Sequence, residues 1–471
     1  MRFQVISHAG LLVESAGTGL LMDPWIVGSA YWRSWWNYPP VKDALRESLH
    51  PDYIYLTHIH WDHFQGPSLR RFGKDQRILI PRTPDTRMAR DLRHLGFRNV
   101  TELEHGRSLQ LAPGFTITSY QFNLFTDSAL ALDVDGVKLL NANDTKLMGA
   151  PLAQILRRHG RFDFVFRSHS SANARVCWEI FDKAAEPTDD AKRYVRDFAD
   201  FAVATGCRYA IPFASNHCYL HNDTFHFNSI VTTPQAVLDH FVRERIATPQ
   251  VRVMLSGDSW SSESGFDIAV NDFFTNRAAH LEAYAREQQE VLQRFYAKEA
   301  AIRLKREELQ RYFAPLSAAI PWVIRRRFKG HPVCYVLRAG EHTQCFQVDL
   351  SRGEVQELSG VDDRRHPMQI HTSAYIVRHC TAANLFAHLT ISKRVRYRVA
   401  SADKSRLVLF NLLLKAYEYE MLPLRRTCSR RFVGTWLRRW REVLLYARIA
   451  FNLARGRRFE TTTFLPTAAR S

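Results

Sequence analysis

Along the first 260 residues, short apolar runs alternate with stretches whose apolar residues recur at helical spacing. Residues 3–7, 11–14, 20–23, 53–56, 77–80, 115–119, 163–166, 209–212 and 251–254 read as strands, with 53–56 a buried one. Residues 129–134 and 137–141 flank Asp135-Gly136, a two-residue signal for a tight hairpin. Helical periodicity marks residues 86–95, 151–159, 191–205 and 234–243. Strand pairs followed by strand–helix alternation predict an α/β fold of two sheets covered by helices.

Beyond residue 275 the pattern changes. Leu281, Tyr284, Leu292, Phe295, Ile302, Leu309 and Phe313 form one apolar stripe and predict a long polar helix over 277–312, ended by Ala314-Pro315. Pro321 and Gly330-His331-Pro332 mark a boundary. Residues 333–400 predict a small α+β domain, with a hairpin of 345–349 and 354–358 around Ser351-Arg352-Gly353. Three regions result: 1–275, a helix and linker over 276–330, and 331–471. In the last, Val433, Trp436, Leu437, Trp440, Val443, Leu444, Ala447 and Phe451 fall at helical spacing. Arg438, Arg439, Arg441 and Arg448 lie mostly off that face, and Arg425, Arg426, Arg430, Arg431, Arg455, Arg457 and Arg458 flank it.

Charge sharpens this division. The net charge of +18 over 471 residues belongs to the C-terminal third. Residues 301–471 hold 32 Lys and Arg against 13 Asp and Glu, whereas residues 1–300 hold 33 against 34. A basic amphipathic helix with tryptophans suits either an anionic membrane surface or docking on its own domain with a solvated basic face. No nucleic-acid module is recognisable, despite Arg325-Arg326-Arg327-Phe328-Lys329, so nucleic acid is not the expected partner. The seven cysteines include no Cys-x-x-Cys pair, the start lacks the apolar run of a signal peptide, and no run of 18 uncharged apolar residues occurs. These features predict a cytoplasmic protein, with peripheral membrane association through the last helix as the variant.

The chemistry concentrates after the strand at 53–56. His58, His60, Asp62 and His63 fall within six residues, in Thr57-His58-Ile59-His60-Trp61-Asp62-His63. A strand end feeding a tight loop converges such side chains on one small volume. Imidazole and carboxylate are ligands of divalent zinc or iron. This run resembles the His-x-His-x-Asp-His motif of the metallo-β-lactamase superfamily, which implies an αββα four-layer sandwich. The resemblance further implies that His58 and His60 bind one metal, and Asp62 and His63 a second. Asp23, in Leu20-Leu21-Met22-Asp23-Pro24, matches the family's early strand-end aspartate, which orients a ligand histidine. Asp144, after the Asp135-Gly136 hairpin, matches the bridging aspartate.

For the last family histidine the chain offers His217 and His221, and His221 is preferred. The basis is a resemblance to the CMP-N-acetylneuraminate hydroxylases, where a His follows a similar Pro-Phe-Ala, here Pro212-Phe213-Ala214, at that distance. Asp23-Pro24-Trp25 and Trp35-Trp36 resemble runs of the same branch, and residues 333–400 resemble the sterol-carrier-like domains appended to some members of the fold. One departure stands out: the stretch from Ser119 to Ser128 lacks the family's further histidine. Asn123 or Gln121 is left to offer a weak carbonyl ligand, so the His58/His60 site is expected to be incomplete, with either one metal bound firmly or an asymmetric pair.

His8, before Ala9-Gly10, is a candidate catalytic group beside Asp62, which can also orient a metal-bound hydroxide. The polar run 167–175 supplies His169, Asn173 and Arg175 as candidates for a polar or anionic small-molecule substrate. Trp25, Trp32, Trp35 and Trp36 either wall the pocket or pack the core. With one or two divalent metals, zinc first and iron second, the expected activity is hydrolysis of an ester, phosphodiester or amide. The alternatives are a non-haem iron oxygenase served by a separate electron donor and a non-catalytic, membrane-associated metal protein. The paired Cys-x-His and Cys-x-x-His motifs of a Rieske cluster do not both occur, because no cysteine has a histidine two residues on.

Overall fold

The computed structural model describes residues 1–471 apart from 126, 171–173, 185–189, 456–458, 460 and 467–471. The candidate Asn173 and the flanking Arg457 and Arg458 lie outside the described residues.

The predicted strands assemble into two mixed sheets. The first runs Gly265–Asp267, Ser259–Ser261, Arg2–Val5, Leu11–Ser15, Thr18–Met22, Tyr53–Tyr55, Arg77–Pro81 and Val100–Leu103. The second runs Gln250–Val251, Tyr209–Phe213, Phe164–Ser168, Val137–Asn143, Asp127–Val134, Phe115–Phe122 and Ser108–Ala112. Each is antiparallel where short turns join neighbours and parallel where longer crossovers intervene. The Asp135-Gly136 turn pairs Val134 with Val137, and both turn residues take positive φ (52° and 82°), as a type I′ turn requires.

Phe3, Val5, Tyr55, Phe115, Leu130, Phe164 and Phe166 bury their side chains in one core shared by the two sheets. Helices Gly149–His159, Asp190–Thr205 and Pro234–Arg243 contribute to a second core, and Arg87–His94 to a third. This is the αββα sandwich. The predicted strand at 251–254 shortens to Gln250–Val251.

The long helix over 277–312 is not formed. The chain makes Arg277–Glu287, Gln289–Ala300 and Arg306–Ala319 instead. Leu304 is buried and exchanges two hydrogen bonds with the Gln344 side chain (both 2.9 Å), which turns the chain onto the third sheet. Glu308 then caps the backbone of Lys305 and starts a new helix. Pro315 lies inside that helix rather than ending it, because Leu309, Phe313 and Leu316 pack into the adjoining core.

The third sheet runs Trp178–Ile180, Arg396–Val399, Met368–Ser373, Val333–Ala339, His342–Asp349 and Glu354–Leu358. Its first strand comes from the N-terminal 275 residues, so the C-terminal unit is not built from 331–471 alone. The amphipathic segment is two helices, Arg430–Arg438 and Trp440–Ala454, broken at Arg439. Leu445 joins the core of Gly149–His159, and Arg439 and Glu442 are buried as a pair. The expected apolar stripe largely faces outward: Leu437 is 68% exposed, Trp440 48% and Leu444 60%. Among the described residues, no helix is long and apolar enough to cross a membrane.

Candidate metal centre

Strand ends at one edge of the two sheets bring most of the predicted metal ligands together. Tyr53–Tyr55 delivers the His58–His63 loop, Thr18–Met22 delivers Asp23, and Val137–Asn143 delivers Asp144. Three overlapping groups result: His58, His60 and Asp127; His58, His63 and Asp144; and His8, Asp62 and His63. Within each, one ligand atom per residue lies within 4.8 Å of the others. His63 Nε2 stands 3.3 Å from Asp144 and 3.4 Å from Asp62, and His8 Nε2 stands 3.2 Å from Asp62.

Asp23 organises the loop. It takes φ 42°, an uncommon conformation for a non-glycine residue. Its carboxylate accepts from the Thr57 backbone (2.8 Å), the Thr57 hydroxyl (2.7 Å), the Asn143 amide (2.6 Å) and His63 Nδ1 (2.8 Å). With Nδ1 facing Asp23, His63 Nε2 is turned into the cluster, toward Asp62 and Asp144. The Nε2 atoms of His58 and His63 are buried and have no hydrogen-bond partner. Buried polar atoms are rarely left so, and a divalent cation satisfies several at once. The residues present fit a metal.

The imidazoles divide. Burial pushes His58 well below its ordinary pKa and His60 down to about 3, which leaves the neutral, ligating imidazole. Burial acts to lower His63 too, but Asp62, Asp23 and Asp144 hold it well above its ordinary value. Burial and the nearby Asp144 push Asp127 up to about 7, against the pull of His63 and Lys146. Burial acts to raise Asp62, but His63 and His8 hold it well below the usual carboxylate range. The Tyr31 hydroxyl donates to Asp62 (2.5 Å), and burial and Asp62 keep its proton in place.

Asp127 is the residue that sequence reasoning missed. No histidine lies around Asn123. The Asn123 side-chain amide donates to Asp127, its backbone N–H to Glu442, and its backbone carbonyl accepts from Arg439, while its Oδ1 is buried without a hydrogen-bond partner. Gln121 donates to Leu103 and Ser119. Asp127, opposite Phe122 at the start of its strand, presents a carboxylate to His58 and His60. An acidic residue opening the hairpin was the available signal.

The structure places His217, rather than the preferred His221, at the cavity. The strand His217–Tyr219 pairs with Trp35–Asn37, and Trp35 stacks on the His217 ring at 3.7 Å. His217 lines a cavity of about 260 Å³ together with His60, Asp62, Asp127 and Asp144. His221 lies past the strand end, with Nε2 3.6 Å from Glu299 and Nδ1 accepting from the Asp223 backbone (3.1 Å). Cys218 and His221 do have Cys-x-x-His spacing, without the Cys-x-His that a Rieske centre also needs.

His169 is buried near the cluster, and burial and His8 hold its pKa down to about 3. His169 and the exposed Arg175 are not among the described residues that line the cavity. Its cations are Lys146 and Lys415, the second from helix Lys404–Glu418. Tyr419, Ala387 and Ile391 add further C-terminal wall. Trp25 and Trp35 border His8, while Trp36 packs on Tyr284 and Trp32 on Trp61.

No family model matches the chain. It is 25% identical over 394 residues to a putative Rieske 2Fe-2S iron-sulfur protein of Mycolicibacterium smegmatis, covering 76% of this chain and 73% of that one. A like-named Mycobacterium tuberculosis protein is 26% identical over 254 residues, 50% of this chain and 47% of that one. The cytidine monophosphate-N-acetylneuraminic acid hydroxylase of Danio rerio is 34% identical over 70 residues, 15% of this chain and 12% of that one. The chain thus spans about half of the tuberculosis relative and a small part of the hydroxylase.

Among solved structures, a possible metal-dependent hydrolase from Veillonella parvula shares 15% identity at TM-score 0.41, covering 55% of this chain and 98% of that one. CmlA, a diiron β-hydroxylase from Streptomyces venezuelae, shares 17% at TM-score 0.37, covering 55% of this chain and 53% of that one. The resemblance first read from His58–His63 extends through the strand order of both sheets to the carboxylates at the facing strand ends, and this chain has the metallo-β-lactamase fold.

Proposed function

We propose that the chain is a metal-dependent oxygenase that hydroxylates a small anionic substrate at a dinuclear non-haem iron centre. The observation that carries this is Asp127. With His58 and His60 it forms a two-histidine, one-carboxylate set, the donor pattern of non-haem iron oxygenases, where the resemblance had implied a third histidine. Asp62, His63 and Asp144 hold the second ion in this reading, with Asp23 orienting His63. The names of the relatives, a putative iron-sulfur protein and a hydroxylase, point the same way. When bound, such a centre activates dioxygen with electrons from a separate iron–sulfur donor.

The chain's own residues do the rest. Lys146 and Lys415 line the same cavity as the carboxylates and bind the anionic group of the substrate. A volume of about 260 Å³ limits that substrate to a small molecule. Tyr31 holds its proton toward Asp62, and Trp35 keeps His217 at the cavity wall. Zinc-dependent hydrolysis is the second reading, supported by Asp62, which is placed between His8 and Tyr31 where it can orient a water.

Metal analysis of protein purified without added metal decides between them. Iron at about two per chain is expected, lost in His60→Ala, with Asp127→His shifting the preference toward zinc. Two zinc ions in the unaltered protein would replace oxygenation with hydrolysis, and no metal at all would remove both readings.

For the helices Arg430–Arg438 and Trp440–Ala454 we propose contact with an anionic membrane surface. Exposed Leu437, Trp440 and Leu444 beside Arg438, Arg441 and Arg448 support it. Co-sedimentation with phosphatidylglycerol vesicles, weakened by Leu437→Gln with Leu444→Gln, is the expected result; equal binding to neutral vesicles would contradict it.

A further inference from the structure

The largest cavity described lies on the far side of Tyr31 from the metal cluster. Its volume is about 920 Å³, toward the upper end of the range of about 300–1,000 Å³ usual for small-molecule sites. Four parts of the chain form it: the loop around residues 27–33, the segment from Trp61 to Arg70, helix Gln289–Ala300, and helix Ala374–Ala383. Its apolar wall is aromatic. Tyr31 stacks on Trp61, Trp32 packs against Trp61 at 5.0 Å, and Phe295 meets Tyr375 edge-on at 5.4 Å. Trp32 Nε1 donates to His379, so the indole is fixed rather than free to fold into the space.

The charge around this wall is of one sign. Arg33, Arg70, Arg294 and Lys298 line the cavity, and no Asp or Glu does among the described residues. Among the described residues, Arg294 alone of these four has a carboxylate at ion-pair distance, Glu290 at 3.0 Å outside the lining. Lys298 lies over the Tyr375 ring (5.6 Å) and Arg33 over Trp36 (5.8 Å), so the cavity keeps an excess of positive charge beside its aromatic floor. Apolar surface of this kind open to water marks a binding site.

We propose that this cavity binds a soluble amphipathic anion, an apolar body bearing a single carboxylate or phosphate. The apolar part lies against Trp32, Trp61 and Phe295, and the anionic group meets Lys298 and Arg294. The site is separate from the metal cavity: Tyr31 is the one residue common to the two linings.

The test is calorimetric and fluorimetric titration of the full chain with decanoate and decyl phosphate below their micellar concentrations. Both are expected to bind and to perturb tryptophan emission, whereas decanol and inorganic phosphate bind at least ten-fold more weakly. Lys298→Met with Arg294→Met, two exposed helix positions, is expected to weaken binding at least ten-fold without lowering Tm. Val291→Trp, which fills the cavity from the same helix, is expected to abolish it. Chelator-treated protein should bind equally, so that loss of the metal reading leaves this result standing. The proposal is overturned if decanol binds as well as decanoate, if phosphate alone binds as tightly, if nothing binds, or if phosphatidylglycerol vesicles bind while the dissolved amphiphiles do not.

Discussion

Two buried clusters in this protein contain the same side chains and do different things. One gathers His58, His60, His63, Asp62, Asp127 and Asp144 at the strand ends. The other gathers His221, Asp223 and Glu299 where the C-terminal unit meets the sandwich. In the second, Arg394 is wholly buried, donates to both Glu299 oxygens (2.7 and 2.9 Å) and to Asp223 (2.8 Å), and Arg338 also pairs with Asp223. A buried arginine serves both carboxylates of the second cluster, although His221 Nε2, like His58 Nε2 in the first, has no hydrogen-bond partner. Histidines and carboxylates alone therefore do not identify a metal site. The first cluster differs in that several imidazoles and carboxylates converge with no arginine lining their cavity among the described residues.

The largest expected effect breaks the second cluster. Arg394→Met strands Glu299 and Asp223 and should destabilise the protein by about 3–5 kcal/mol, read by denaturant melts, while metal per folded chain stays unchanged. Equal loss of metal would show that the two clusters are one functional unit.

Next, Asp23→Asn removes the acceptor that orients His63. Metal affinity is expected to fall about 10–100-fold, measured by competition with a chromogenic chelator. An unchanged affinity would deny Asp23 any role at the centre.

A sharper contrast comes from the two histidines. His217→Ala should lower turnover or metal retention several-fold, and His221→Ala should leave metal content intact while lowering Tm. The reverse pattern would restore the preference for His221.

The smallest effect is in pH. His221 and Arg394 hold Glu299 down to about 2 against an ordinary 4.5, overcoming the burial that opposes them. A depressed carboxyl adds stability above its unfolded pKa and loses it as pH falls through the folded one. The stability gap between wild type and Glu299→Gln should therefore be full above pH 5 and close between about 4.5 and 2. A gap still at its full size at pH 2.5 would contradict the assignment.

Much of this architecture is legible in period and punctuation. The apolar runs before Asp23, His58 and Asp144 predicted strands, and Asp135-Gly136 predicted its turn, because these depend on neighbours a few residues away. The helix over 277–312 failed for the opposite reason. Its stripe continues through Ile302, but Leu304 is drawn to Gln344, forty residues on, and the helix breaks there.

The site divides in the same way. His58, His60, Asp62 and His63 could be named because one strand end carries all four, and Asp23 and Asp144 because family spacing implied them. Asp127 has no local signature that separates it from any strand-opening aspartate. Lys415 comes from a helix some 270 residues beyond Asp144, and Trp35 selects His217 by pairing across a small sheet.

The sequence by itself determined the fold class, the hairpin and the nucleus of the metal cluster, since each is written in contiguous residues with fixed periods. Only the tertiary structure decided which carboxylate completes the His58/His60 set, which histidine faces the cavity, and that the C-terminal unit closes it. Those choices depend on which distant side chains meet when the sheets and helices pack, and on whether a buried carboxylate finds an arginine.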